Sequence, residues 1–254
     1  TPASIIFLLY INLILMNLDY VKIPFTNNPS MTRYDGPIYN KTPNKNYLSE
    51  KVKQMEYFGN SIYGETEISK TNNLLKKLID YFDFDQSLSI KELSLKLEED
   101  FAVMFKGKME LGSISFPSGW DFSEKLGKDL SFIHDPVADN SKLLSSSLKL
   151  SDYMCKQTIQ RWVWTVTTSS ELSEHPKLTK PALSTAENLF FRLETQTSTP
   201  LDNITSLFLI KVEVVPLKEV WDKKILESIN SMSEDILKYK GLVKIKKLLN
   251  TIQI

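Results

Sequence analysis

The stretch NLFFRLETQTSTPLDNITSLFLIKVEVV, residues 188–215, decides the fold. Residues 188–196 and 206–215 are rich in β-branched and aromatic side chains and read as strands. The polar residues 197–205 between them predict a hairpin loop. Alternation puts Arg192, Glu194 and Gln196 on one face of the first strand. Upstream, residues 161–168 form a third strand candidate, in which Trp162 and Trp164 share a face. That pair predicts either core packing or the wall of a flat, apolar cofactor pocket.

Further from the centre, residues 101–105 and 109–116 flank Lys106-Gly107-Lys108 and read as a second hairpin. Helical spacing dominates elsewhere. Leu48, Val52 and Met55 share one face of a helix near residues 46–58, and Leu74, Leu75, Leu78, Ile79 and Phe82 mark another, broken by Asp83, Asp85 and Ser87. Asp121 is placed to cap a helix carrying Phe122, Leu126, Leu130 and Ile133, and a further helix is predicted over 142–157. Residues 220–249 predict a helical tail punctuated at Gly241. Residues 20–46, with Pro24, Pro29, Gly36, Pro37 and Pro43, read as irregular. The sum is an α+β domain with an antiparallel sheet, expected as one unit over residues 20–254.

Composition excludes several classes. Thirty-one basic residues balance thirty-one acidic ones, which gives no electrostatic reason to expect nucleic acid or an anionic membrane as partner. The single cysteine, Cys155, forms no intrachain disulfide and no CxxC pair, and its simplest setting is reducing and cytoplasmic. Residues 5–15 (IIFLLYINLIL) are strongly apolar but shorter than the ~20 residues of a spanning helix, without the flanks of a signal peptide. Residues 1–19 are therefore set apart, with Met16 read as the natural start and a truncated membrane anchor as the alternative. Membrane association is not expected of the domain itself.

The chemistry-bearing residues are few. No nucleotide-binding, nucleophile-elbow or zinc-protease motif occurs, and the only histidines are His134 and His175. His134 ends an apolar helix, where it either caps backbone carbonyls or serves as an axial haem ligand. His175, in the polar Ser173-Glu174-His175-Pro176, is expected to face solvent. The run Glu98-Glu99-Asp100 is expected to form a solvated edge, Cys155 to be packed, and Lys238, Lys240, Lys244, Lys246 and Lys247 to form a solvated helix face.

Three separated stretches carry a resemblance. The first runs from Glu99-Asp100-Phe101 through Phe116-Pro117-Ser118-Gly119-Trp120-Asp121 and Glu124-Lys125-Leu126-Gly127 to Ile133-His134 and Pro136-Val137. The second is Arg161-Trp162-Val163-Trp164, and the third runs from Phe190 to Thr197 and on to Pro216-Leu217, with Tyr239-Lys240-Gly241-Leu242 near the end. In order and spacing these resemble the haem-dependent oxidative N-demethylases.

The resemblance implies a PAS-like haem domain that activates O2 and oxidises an N-methyl group of a small secondary amine such as dimethylamine. It implies reductase subunits carrying FMN, a 2Fe-2S cluster and NADPH. His134 matches the family's imidazole and becomes the implied iron ligand, with Arg161 and Trp164 at the cofactor. Arg192, Glu194 and Gln196 become the implied catalytic row, facing haem propionates, O2 or an ammonium. Two departures stand out: Thr195 replaces an arginine, and Ser198-Thr199-Pro200 replaces a basic segment. They keep open a non-catalytic haem or small-ligand sensor, and a silent subunit that packs against a reductase.

Overall fold

The computed structural model describes residues 18–27, 31–84 and 88–251. The expectations for residues 1–15, and for Asp85 and Ser87 as helix breakers, lie outside the described residues. Seven strands form one antiparallel sheet: β1 (Thr32–Arg33), β2 (Tyr63–Glu65), β3 (Asp100–Phe105), β4 (Lys108–Ser113), β5 (Ile159–Thr167), β6 (Phe190–Pro200) and β7 (Thr205–Pro216). Their order across the sheet is β1-β5-β6-β7-β3-β4-β2, and with helices on both faces the fold is α+β.

The β6–β7 hairpin is the spine. Its register runs from Phe190 opposite Pro216 to Pro200 opposite Ser206. The expected loop over 197–205 is therefore corrected, because Thr197 to Pro200 stay in the ladder and only residues 201–204 turn. Leu201 N donates to Thr205 O at 2.9 Å, and Asp202 Oδ1 accepts from Ile204 N at 2.9 Å, so the turn closes on its own aspartate. The second hairpin turns on Lys106 (φ 47°) and Gly107 (φ 79°), both left-handed, the twist that a two-residue hairpin needs.

Each face of the sheet has its own cover. On one face, Trp164, Val166, Phe191 and Leu193 pack against Ile225, Ile229, Ile236, Leu237, Leu242, Ile245 and Leu249. These come from α6 (Lys223–Asn230), α7 (Glu234–Tyr239) and α8 (Val243–Thr251). The tail is thus three short helices, with Gly241 (φ 69°) at one break. The same face continues as Phe101, Val103, Leu207 and Leu209 under Leu74, Leu78, Ile79 and Phe82. The opposite face, Ala102, Met104, Ile210 and Val212, packs against Phe116, Phe122, Leu130 and Met154.

Among the covering helices, α1 (Lys45–Phe58) is capped by Asn44 and α2 (Leu74–Phe82) covers the β3–β4 end of the sheet. Asp121 caps a helix as expected, but α3 (Phe122–Lys125) stops short because Gly127 (φ 78°) turns the chain. Asp129 then caps a new helix, α4 (Leu130–His134), and α5 (Ser141–Met154) follows. Among the described residues no helix is long and apolar enough to cross a membrane.

The acidic run is not a solvated edge. Glu98, Glu99 and Asp100 are all buried. Lys51 Nζ, also buried, donates to Glu99 O at 2.6 Å and stands 3.4 Å from Asp100 Oδ1. Glu98 accepts from Asn40 Nδ2 at 2.9 Å and pairs with Lys211 at 3.1 Å. Burial raises the carboxyl of Asp100 and lowers the amine of Lys51, each partly opposed by the other's charge. The partners come from distant segments, so the run's own sequence gives no sign of them.

Candidate functional site

β1 pairs with β5 only at Ile159 and Gln160. Beyond them the outer edge of β5 is covered by residues 19–27 and by the end of α7. That leading segment is tied down at three points. Ser228 Oγ donates to Lys22 O at 2.7 Å, Phe25 N donates to Ser231 Oγ at 2.8 Å, and Asn27 Nδ2 donates to Ala138 O at 2.6 Å. Its aromatic side chains meet the tryptophans of β5. Tyr20 stacks on Trp162 (centroids 5.9 Å, planes 21° apart), and Phe25 meets Trp164 edge-on (6.2 Å, 79°). Between them lies a cavity of about 620 Å³, within the size range of cofactor sites.

The cavity is apolar in its walls and charged at its ends. Trp162, Trp164, Leu193 and Phe25 supply flat or aliphatic surface, while Arg161, Lys240, Lys22, Asp19 and Glu213 supply charge of both signs. Lys240 Nζ donates to Trp164 O at 3.0 Å and sits 5.6 Å from the centre of the Phe25 ring. Burial pulls its amine down to about 8, with the charge of Glu194 opposing and that of Arg161 adding to the shift. Lys240 is thus not on the solvated face expected for the tail lysines. The Arg161 side chain forms no hydrogen bond or ion pair with any described residue; burial lowers its guanidinium, opposed by the charge of Glu194. Among the described residues the buried Tyr20 hydroxyl has no hydrogen-bond partner, and burial and Glu213 together raise it.

Of the residues singled out in the sequence, Arg161, Trp162 and Trp164 line the cavity. His134, Arg192, Glu194 and Gln196 do not. The implied catalytic row lies on the face of the sheet opposite Trp162 and Trp164, the face that Arg161 shares through its pairing with Gln196, and the charge of Glu194 reaches both Arg161 and Lys240. Arg192, 1% exposed, donates from Nε to Ser118 Oγ (2.9 Å), from one terminal nitrogen to Leu172 O (2.6 Å) and from the other to Phe116 O (3.0 Å). Glu194 accepts from Ser118 Oγ and, at 2.8 Å, from Gln196 Nε2. These bonds staple the Phe116-Pro117-Ser118-Gly119 turn to β6.

His134 is half-buried at the end of α4. Its Nδ1 lies 2.8 Å from Leu130 O, which places the proton there and leaves the Nε2 lone pair available. Burial is the main cause of its lowered pKa, with Arg161 and Lys125 also contributing, so the ring is a neutral donor. His175 is corrected: it is buried rather than solvent-facing, stacked on Phe58 at 3.9 Å, with Nε2 3.5 Å from Asp121 Oδ2. A nonlocal aromatic partner buries a histidine that its polar neighbours advertise as exposed.

Sequence reasoning missed Tyr20, Phe25, Lys240 and Glu213 as cavity residues. Only Lys240 carried a signal, in Tyr239-Lys240-Gly241-Leu242. The irregular leading segment hid the two aromatics.

A porphyrin fits this site in wall and in charge: flat aromatic sides suit the macrocycle, and Arg161 and Lys240 suit its carboxylates. No histidine or cysteine is among the lining residues. The available imidazole is His134, whose neutral ring and hydrogen-bonded Nδ1 have the chemistry of an axial ligand. Among the described residues there is no cluster of histidine, cysteine and acidic side chains that would hold a free metal ion.

A search of curated proteins finds no match. A family model described as "Haem-dependent oxidative N-demethylase, alpha subunit-like" matches residues 47–250. That span holds every strand from β2 to β7, the Arg161–Trp164 edge, His134 and Lys240. The chain belongs to the haem-dependent oxidative N-demethylase alpha-subunit-like family.

Proposed function

We propose that residues 20–254 act as one PAS-like, haem-binding domain, the haem subunit of an enzyme that demethylates a small secondary amine such as dimethylamine. The observation that carries this reading is the aromatic-walled, cation-ended cavity on the edge of β5, within a chain of this family. Bound haem would supply O2 activation. The chain's own residues would do the rest. Trp162 and Trp164 would flank the macrocycle and exclude water, and His134, which stands outside the cavity lining, is the imidazole proposed for the iron. Arg192, Glu194 and Gln196 act in this reading as positioning residues, because their polar atoms already hold the turn at Ser118. Electrons would come from reductase subunits carrying FMN, a 2Fe-2S cluster and NADPH, in a cytoplasmic setting.

One observation favours a second reading. Thr195, which stands where the family has an arginine, lines the cavity. The cation that the family carries at this position is therefore missing from the cavity wall, which suits a haem or small-ligand binding protein without turnover. Ser198, Thr199 and Pro200 bear less on it, since they lie at the hairpin's far end and are not among the lining residues.

The test combines absorption and turnover. The purified chain should show a Soret band, and with a reductase and NADPH it should release formaldehyde from dimethylamine. His134→Ala should lose most of its haem or shift its spectrum. A variant with full haem content and an unchanged spectrum removes the ligand assignment. A Soret band without formaldehyde selects the second reading.

A further inference from the structure

Two cations, Arg161 and Lys240, stand on the same edge of the cavity; Glu194 is near enough to attract both, but neither forms an ion pair with a described carboxylate. Lys240 is fixed by its 3.0 Å bond to Trp164 O, and Arg161 lies three residues away on the same strand, roughly 10 Å along the backbone. The Arg161 fork has no hydrogen-bond partner among the described residues, although burial has removed much of its water. A guanidinium that is part-buried and unbonded is costly unless something occupies it. At the other end, Glu213 reaches the cavity from β7, two strands in from β5 and thus roughly 10 Å across the sheet. It too forms no ion pair with a described residue, and it repels an anion from that end.

We infer that Arg161 and Lys240 form a carboxylate clamp, and that the cavity takes a flat, mainly apolar ligand with its acid groups turned to the β5 edge and away from Glu213. The inference rests on the haem reading for the identity of the flat body, where the acid groups would be the two propionates. It relocates them from the Arg192 row, whose donors are already used, to the open edge. The clamp's own chemistry requires only a carboxylate beside an apolar plane. Lys240 is held below its ordinary value by burial and by Arg161, with Glu194 opposing; an arriving carboxylate would restore its proton.

The experiment titrates the full chain with protoporphyrin IX and with its dimethyl ester, followed by absorption and by tryptophan fluorescence. Wild type should bind the free acid at least about tenfold more tightly than the ester, the worth of one or more charge-assisted bonds. Arg161→Gln should lose that preference by weakening the acid alone, and Arg161→Lys should restore part of it. Equal affinity of wild type for acid and ester, or an Arg161→Gln loss that is the same for both, overturns the clamp. Should neither porphyrin bind, the haem reading falls and 2-naphthoate decides the clamp. Saturable binding that Arg161→Gln abolishes sustains it, and no binding overturns it as well.

Discussion

Two arginines one strand apart have opposite surroundings. Arg192 on β6 is 1% exposed and bonded through three of its nitrogens to Ser118, Leu172 and Phe116. Arg161 on β5 is half-buried, borders a cavity and has no such bond. Both match the family's pattern, so the pattern alone does not separate them. Their bonding does: a satisfied buried charge is scaffold, while an unsatisfied one at a cavity is poised for a ligand.

The largest expected effect breaks the scaffold side. Arg192→Met removes the donors for two buried carbonyls and should cost about 3–5 kcal/mol in urea denaturation. Arg161→Met should stay within about 0.5 kcal/mol of wild type in the absence of ligand. Equal losses for the two would erase the distinction. The knot under α1 offers an independent check of the same idea. Lys51→Met strands Asp100 and should destabilise by about 3 kcal/mol, whereas Lys223→Met, in an exposed helical pair, should change stability by less than about 0.5 kcal/mol.

The cavity side is sharpened by pH. Lys240 has its folded value lowered to about 8, so between there and its ordinary value near 10.5 the unfolded chain binds the extra proton. Stability contributed by this group therefore rises with pH across that window, on the order of 1–2 kcal/mol. Lys240→Met should flatten the profile in denaturation curves taken from pH 7.5 to 10. A profile unchanged by the substitution would show that the amine is not desolvated. The smallest effect on the fold is expected for Thr195→Arg, which restores the family's cation at the cavity wall. It should leave the melting temperature nearly unchanged while tightening an anionic ligand severalfold by fluorescence titration.

The sheet was legible in the sequence because it is built from local periodicity. Strands β3 to β7 and both hairpins follow from alternating apolar residues and from the Lys106-Gly107 turn. What was hidden depends on partners far away in the chain. Glu98 and Asp100 are buried only because Lys211 and Lys51 arrive from other elements, and His175 only because Phe58 stacks on it. The cavity was half visible. Arg161 and Trp164 were readable on β5, but the residues that close it, Tyr20 and Phe25, come from a segment without periodicity. The polar row of Arg192, Glu194 and Gln196 was readable as a row, yet nothing in its spacing showed that Ser118 and two carbonyls would saturate it.

The central claim is that haem occupies the space between Trp162, Trp164 and the leading segment. A hemin titration of the wild-type chain and of Thr195→Trp, which fills that space from the β6 side, tests it most directly. Wild type should saturate at about one haem per chain with a sharp Soret band, and the variant, folded by circular dichroism, should bind at least tenfold more weakly. A folded Thr195→Trp chain that takes up hemin with the same affinity and spectrum as wild type would place the haem elsewhere and contradict the account.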